Sequence, residues 1–152
     1  MVGGTGPAGE PVQRGGRLFV YGTLRFPEIV HSLLNRSPHN EPDSAQGWRA
    51  AEVPGEAYPA LVPADGIVPG LVLEGLGPRE WDIIDAFEGP FYELRRIPLT
   101  SGRSESSYVC ADPSAVGAHD WSPGWFAQAH LGEYVRDCAD WRREQFDGDH
   151  EL

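Results

Sequence analysis

The sequence predicts an α+β fold, with several short strands forming a small curved or closed sheet and two or three helices packed around it. Three observations predict it. Short runs of aromatic and β-branched residues recur along the chain, each cut by proline or glycine. Residues 78–88 carry an apolar stripe at helical spacing, with Pro78 at the start and Gly89-Pro90 at the end. A second helical stripe, over residues 125–146, closes the chain. Strands and helices mixed in this way, without strict alternation, fit α+β packing.

Residues 1–16 are rich in Gly, Pro and small side chains and read as a disordered leader. Residues 147–152 read as a loose tail, which leaves residues 17–146 as the folded domain. Residues 17–21 (RLFVY) read as a strand, broken by Gly22. A helix follows, with Pro27 in its first turn and a stripe of Ile29, Val30, Leu33 and Leu34. Residues 35–45 are polar and hold two prolines, which predicts a loop. Residues 47–63 suit short, bent strands, and residues 67–73 (IVPGLVL) a strand interrupted at Pro69-Gly70.

The helix over 78–88 is the clearest element. Glu80 and Asp82 complement its positive end, and Trp81, Ile83, Ile84 and Phe87 form its apolar face. Residues 92–99 and 107–110 read as strands. The closing stripe runs through Phe126, Ala129, Leu131, Tyr134, Val135, Cys138 and Trp141. The tryptophans Trp48, Trp81, Trp121, Trp125 and Trp141 are assigned to the core.

The chain has 152 residues, of which 40% are hydrophobic, enough for one domain with a sizeable core. No apolar run is long enough to span a bilayer, and no signal peptide opens the sequence, so a cytoplasmic protein is expected. The 12 basic residues are all arginine, and 23 acidic residues bring the net charge to −11. That charge argues against nucleic acid or an anionic membrane as partner. Cys110 and Cys138 are expected as free, buried thiols, and the five histidines show no ligand spacing, so no metal motif is read.

Two places can carry chemistry. On a helical wheel starting at Trp81, Ile83, Phe87, Ile84 and Glu88 fall at about 200°, 240°, 300° and 340°. Glu88 therefore lies inside the apolar arc, whereas Asp82 and Asp85 fall outside it. Burial and the negative helix end should both raise its pKa, as suits a group that accepts and returns a proton near neutral pH. A solvated helix-end glutamate is the plainer reading of the same position. The second place is Tyr21-Gly22-Thr23-Leu24, where a strand enters a glycine turn and offers free N–H groups to a carboxylate or oxyanion. It has neither the glycine spacing nor the lysine of a nucleotide loop, and taken alone it also fits an ordinary tight turn. No Gly-x-Ser-x-Gly elbow surrounds any serine.

Together these segments resemble the gamma-glutamylcyclotransferase-like family. The likeness rests on LFVYGTLR (18–25), YPALVP (58–63), VPGLVLEGL (68–76) and WDIIDAFEGPFYELR (81–95), and spans residues 18–146. It is strongest toward the branch of plant avirulence-induced-gene-like proteins and gamma-glutamylamine cyclotransferases. A late helix with Trp125, His130 and Tyr134 adds to it. Two departures stand out: Gly70-Leu71-Val72-Leu73 replaces a Gly-Glu-x-Tyr pattern, and Leu94 stands where many relatives have arginine.

The resemblance implies a small mixed β-barrel with flanking helices and a cofactor-independent enzyme without metal. In the implied reaction, a gamma-glutamyl amine or amide cyclises to 5-oxoproline and releases a free amine. It casts Glu88 as the single acid/base, the backbone at Gly22, Thr23 and Leu24 as carboxylate and oxyanion holder, and Tyr21 and Tyr92 as pocket walls. A small gamma-glutamyl molecule is the implied partner. The altered 70–73 stretch motivates an alternative, a non-catalytic module that binds a small acid on the same fold. A third reading is a tailoring enzyme for a gamma-glutamyl-protected natural product.

Overall fold

The computed structural model describes residues 14–147 and the backbone of residues 10–11. Its strands are β1 (Glu10–Pro11), β2 (Leu18–Val20), β3 (Asn40–Glu52), β4 (Pro59–Leu73), β5 (Tyr92–Pro98) and β6 (Ser104–Cys110). Its helices are α1 (Pro27–Leu34), α2 (Pro78–Glu88), α3 (Pro123–Ala129) and α4 (Leu131–Arg142). The strands make one sheet in the order β1-β5-β6-β2-β4-β3. β2 and β6 run parallel, while the other neighbours run antiparallel, so the sheet is mixed as expected. The edge strands β1 and β3 do not pair with each other, so the sheet stays open where a closed barrel was one expectation.

Strand β2 shows why the sheet sits where it does. Successive side chains of a strand point to opposite faces. Leu18 and Val20 enter a core shared with the helices, and Phe19 joins Ala45, Leu61, Val72, Ile97 and Val109 in a second core bounded by strands. Both faces of β2 are therefore buried, and the strand lacks the polar alternation of a half-exposed one. The β5–β6 turn reaches across to edge strand β3, where Thr100 N donates to Ser44 O at 2.8 Å and Ser101 Oγ to Asp43 at 2.6 Å.

Helix α1 buries Ile29, Val30, Leu33 and Leu34, the stripe the sequence marked, and ends on Asn35 in the left-handed region at φ 57°. Helix α2 buries Trp81, Ile83 and Ile84; Glu80 reaches back to the Gly77 N–H at 3.0 Å, which closes the first turn.

Five expectations change. Residues 40–45 belong to β3 and not to a loop, and β4 runs unbroken through Pro63, Pro69 and Gly70. The closing helix is divided at His130 (φ −132°, ψ −19°), a break that lets Phe126 and Tyr134 meet with ring centroids 5.2 Å apart. Trp81, Trp48 and Trp121 are buried, whereas Trp125 is 48% exposed and rests against His130. Of the expected leader, residues 1–9 and 12–13 lie outside the described residues, as do 148–152 of the expected tail. Residues 14–16 are engaged: Gly16 O accepts from Leu76 N at 3.0 Å, and Gly15 O from Trp81 Nε1 at 2.5 Å.

Candidate active site

The last turn of α2 carries Glu88 to a cavity of about 140 Å³ between the sheet and α4. All five tyrosines of the chain line it: Tyr21, Tyr58, Tyr92, Tyr108 and Tyr134. They arrive from the residue just after β2, the β3–β4 turn, β5, β6 and α4, and no arginine or histidine is among the lining residues. The structure thus brings together every residue the sequence singled out, Glu88 with Tyr21, Gly22, Thr23, Leu24 and Tyr92. It also adds Tyr58, Tyr108 and Tyr134, to which the sequence reading gave no site role, although Tyr58 and Tyr134 stand in segments that carry the family likeness.

Most of these phenols are held. Tyr21 OH donates to Tyr108 O at 2.6 Å and accepts from Leu61 N at 3.1 Å, which locks its ring against the sheet. Tyr92 OH donates to Pro59 O at 2.7 Å, and Tyr108 OH donates to Asp85. The Tyr134 hydroxyl lies beside the Thr23 side chain. Tyr58 packs its ring against Phe91 and Tyr92.

Glu88 differs from this set. No hydrogen bond or ion pair from a described residue reaches its carboxylate. Burial among aromatic rings, and then the nearby charge of Asp85, push its pKa up to about 8. The sequence anticipated burial as a cause; the Asp85 contribution was not foreseen, because Asp85 falls outside the apolar arc. Burial likewise raises Tyr21, Tyr92, Tyr108 and Tyr134, and lifts the Cys138 thiol to about 12. Those groups are neutral at pH 7. Cys110 and Cys138 are both free and buried, as expected.

After Tyr21 the chain turns at Gly22 and enters a single helical turn, Thr23–Arg25. Arg25 N donates to Gly22 O, while the N–H groups of Thr23 and Leu24, at the start of that turn, have no acceptor within it. Gly22 is required by close packing: a Cβ there would lie 2.8 Å from Pro59 Cγ. The departure at Gly70-Leu71-Val72-Leu73 lies elsewhere. These residues pair β4 with β2 and β3, and none of them lines the cavity. Leu94 is half-buried opposite Tyr108 and is also absent from the lining.

Away from the cavity, His39, Glu41 and Glu74 bring ligand atoms within 4.8 Å of one another. Sequence spacing does not reveal this cluster, because Glu74 joins it through the β3–β4 register. Within it His39 Nε2 lies 3.4 Å from Glu41, and Arg103 Nη1 lies 4.0 Å from the same carboxylate.

A family model described as gamma-glutamyl cyclotransferase, AIG2-like, matches residues 18–127. The chain belongs to this family. It is 31% identical over 129 residues to AIG2-like protein D of Arabidopsis thaliana, a match covering 78% of this chain and 84% of that protein. The fold is similar to a solution structure of another Arabidopsis thaliana protein, with a TM-score of 0.61 at 21% identity, covering 93% of this chain and 90% of that one. It is also similar to a gamma-glutamyl cyclotransferase, with a TM-score of 0.55 at 13% identity, covering 90% and 85%. At these identities the structural likeness speaks to the fold alone. Family membership places the chain among cyclotransferase-like enzymes. Among the described residues, no helix is long and apolar enough to cross a membrane.

Proposed function

We propose that this protein cyclises a gamma-glutamyl amine or amide to 5-oxoproline, releasing the amine, with Glu88 as general acid/base. One observation carries the reading: an unpaired carboxylate, its pKa pushed up to about 8, shares a small aromatic cavity with Thr23 and Leu24, whose N–H groups have no acceptor within their turn. The substrate supplies its own nucleophile, so the site has to fold the glutamyl chain until its α-amine meets its γ-carbonyl.

The substrate α-carboxylate rests on the N–H groups around Thr23 and Leu24, in a cavity whose lining offers no arginine. Glu88 takes a proton from the substrate ammonium. The freed amine attacks the γ-carbonyl, a C–N bond closes the ring, and the oxyanion is met by the same backbone donors. Glu88 then returns its proton to the departing nitrogen as the original amide bond breaks. The ring nitrogen begins with three protons and keeps one. Glu88 carries the other two to the released amine in turn, the first taken before attack and the second taken from the ring nitrogen after it, and so finishes unchanged.

The pKa suits this cycle. A group of pKa about 8 is ionised in roughly a tenth of molecules at pH 7, and an incoming ammonium favours the ionised form. Once protonated, the group is a ready donor. Tyr21 and Tyr92, tied to Tyr108 O and Pro59 O, act as rigid walls.

The test is Glu88→Gln assayed for 5-oxoproline release across a panel of gamma-glutamyl amines and amides. The variant should fold and lose at least about 10²-fold in turnover on whichever substrate the native protein cleaves. Retained turnover removes Glu88 from the mechanism.

A further inference from the structure

Asp85 stands one helical turn before Glu88 on α2, and its two oxygens are divided between two partners. Oδ1 accepts from the Tyr108 hydroxyl, whose ring lines the cavity. Oδ2 accepts from Arg14 Nη2, and the same guanidinium reaches Asp82 through Nη1 at 2.7 Å. Arg14 lies upstream of the family match, which begins at residue 18. Its position is fixed by its neighbours: Gly15 O and Gly16 O are bonded to Trp81 and Leu76, and Glu10–Pro11 pair with Arg96 and Arg95 of β5. A planar, permanently charged fork bridging two carboxylates is a task that suits arginine.

We propose that Arg14 is a positioning residue for the cavity: it pairs with Asp85, holds that carboxylate on Tyr108, and thereby sets the electrostatic surroundings in which Glu88 exchanges its proton. The proposal rests on Glu88 being the acid/base. Its physical basis is the set of groups around Glu88. Tyr21, Tyr92 and Tyr108 face it from the sheet, Tyr58 from the β3–β4 turn, Tyr134 and Cys138 from α4, and Asp85 from its own helix. The phenols and the thiol are neutral at pH 7, which leaves Asp85 as the charged neighbour. With Arg14 beside it Asp85 still raises the Glu88 pKa; without the guanidinium its field would act unopposed across one helical turn. The arginine thus acts on the cavity through Asp85 without touching it.

The experiment is a pH titration of the full-length protein carrying ¹³C-labelled glutamate, with the Glu88 signal assigned by its absence in Glu88→Gln. Wild type should show a midpoint near 8. Arg14→Ala should move it up by about half a pH unit or more, Arg14→Lys should restore part of the shift, and Asp85→Asn should move it down. The acid limb of kcat/KM should follow in each variant. Midpoints that coincide in wild type, Arg14→Ala and Asp85→Asn overturn the inference, since Asp85→Asn tests the same charge without disturbing the leader. If the midpoints move as stated while the acid limb stays fixed, the charge relay stands, and the assignment of Glu88 as the base falls instead.

Discussion

Glu88 was legible in the sequence because a helical wheel needs only local spacing. A carboxylate inside an apolar arc stands out without tertiary information. Its surroundings were not legible: Tyr58, Tyr108 and Tyr134 reach the cavity from three separate segments, and nothing in their local sequence marks them as neighbours. The consequence for stability can be tested apart from catalysis. The Glu88 pKa is 4.5 in an ordinary chain and about 8 in the fold. Between those values the folded protein keeps a proton that the unfolded chain gives up, so raising the pH through this window destabilises the fold. Below pH 4.5 the penalty is absent, and above about 8 it is complete. Glu88→Gln carries no such charge. Its stability relative to wild type should rise from pH 5 to about 8 and level off above. The cavity opens to solvent, which screens the carboxylate, so the expected gain is about 2 kcal/mol and less than the full equivalent of the shift. Urea unfolding at several pH values measures it, and a pH-independent difference would mean that Glu88 is ionised at no cost.

At the scale of elements, α1 and α2 were readable because both carry a stripe, a proline at the start and a stop signal. The β3–β4 pair was less so, because proline usually marks a loop. The topology explains the exception. β3 is an edge strand, so a missing N–H at Pro42 leaves no partner wanting on its outer side. β4 pairs with β2 only through Leu71, Val72 and Leu73; Pro59, Pro63 and Pro69 fall where β3 is its partner and β2 is not. The glycine next to this junction has a structural task. A Cβ on Gly70 would lie 2.3 Å from Val20 O and 2.8 Å from Phe19 Cζ, so the strands can approach only without one. Gly70→Ala should therefore destabilise the protein by about 3 kcal/mol, near the upper end for overpacking, since backbone has to yield. Chemical denaturation reads this directly. A loss under about 0.5 kcal/mol, typical of a surface change, would mean that β2 and β4 separate easily. The result also bears on activity, because β2 leads straight into Tyr21 and Gly22.

At the scale of the whole molecule, the cavity lies on the seam between the two main cores. Val20, Leu24 and Tyr108 belong to the core beneath the helices, while Phe19 and Tyr21 belong to the one within the sheet, and all five line the cavity. A ligand there touches β2, β5, β6, α2 and α4 at once, and it has no counterpart in the unfolded chain. Binding should therefore stabilise the entire fold by mass action, about 2.7 kcal/mol at a hundredfold excess over Kd. For a chain of this size that corresponds to a Tm rise of about 5–10 °C. The expected ligands are 5-oxoproline and gamma-glutamyl amides, whose α-carboxylate would meet the 22–25 turn. Glu88→Gln should keep most of this rise while losing turnover, because in the proposed mechanism the backbone would hold the carboxylate and the Glu88 side chain would move the proton. A melt series with and without ligand, run on both proteins, separates holding from reacting. If neither protein gains stability from any such ligand, the cavity does not take the glutamyl group, and the substrate must approach Glu88 by another face.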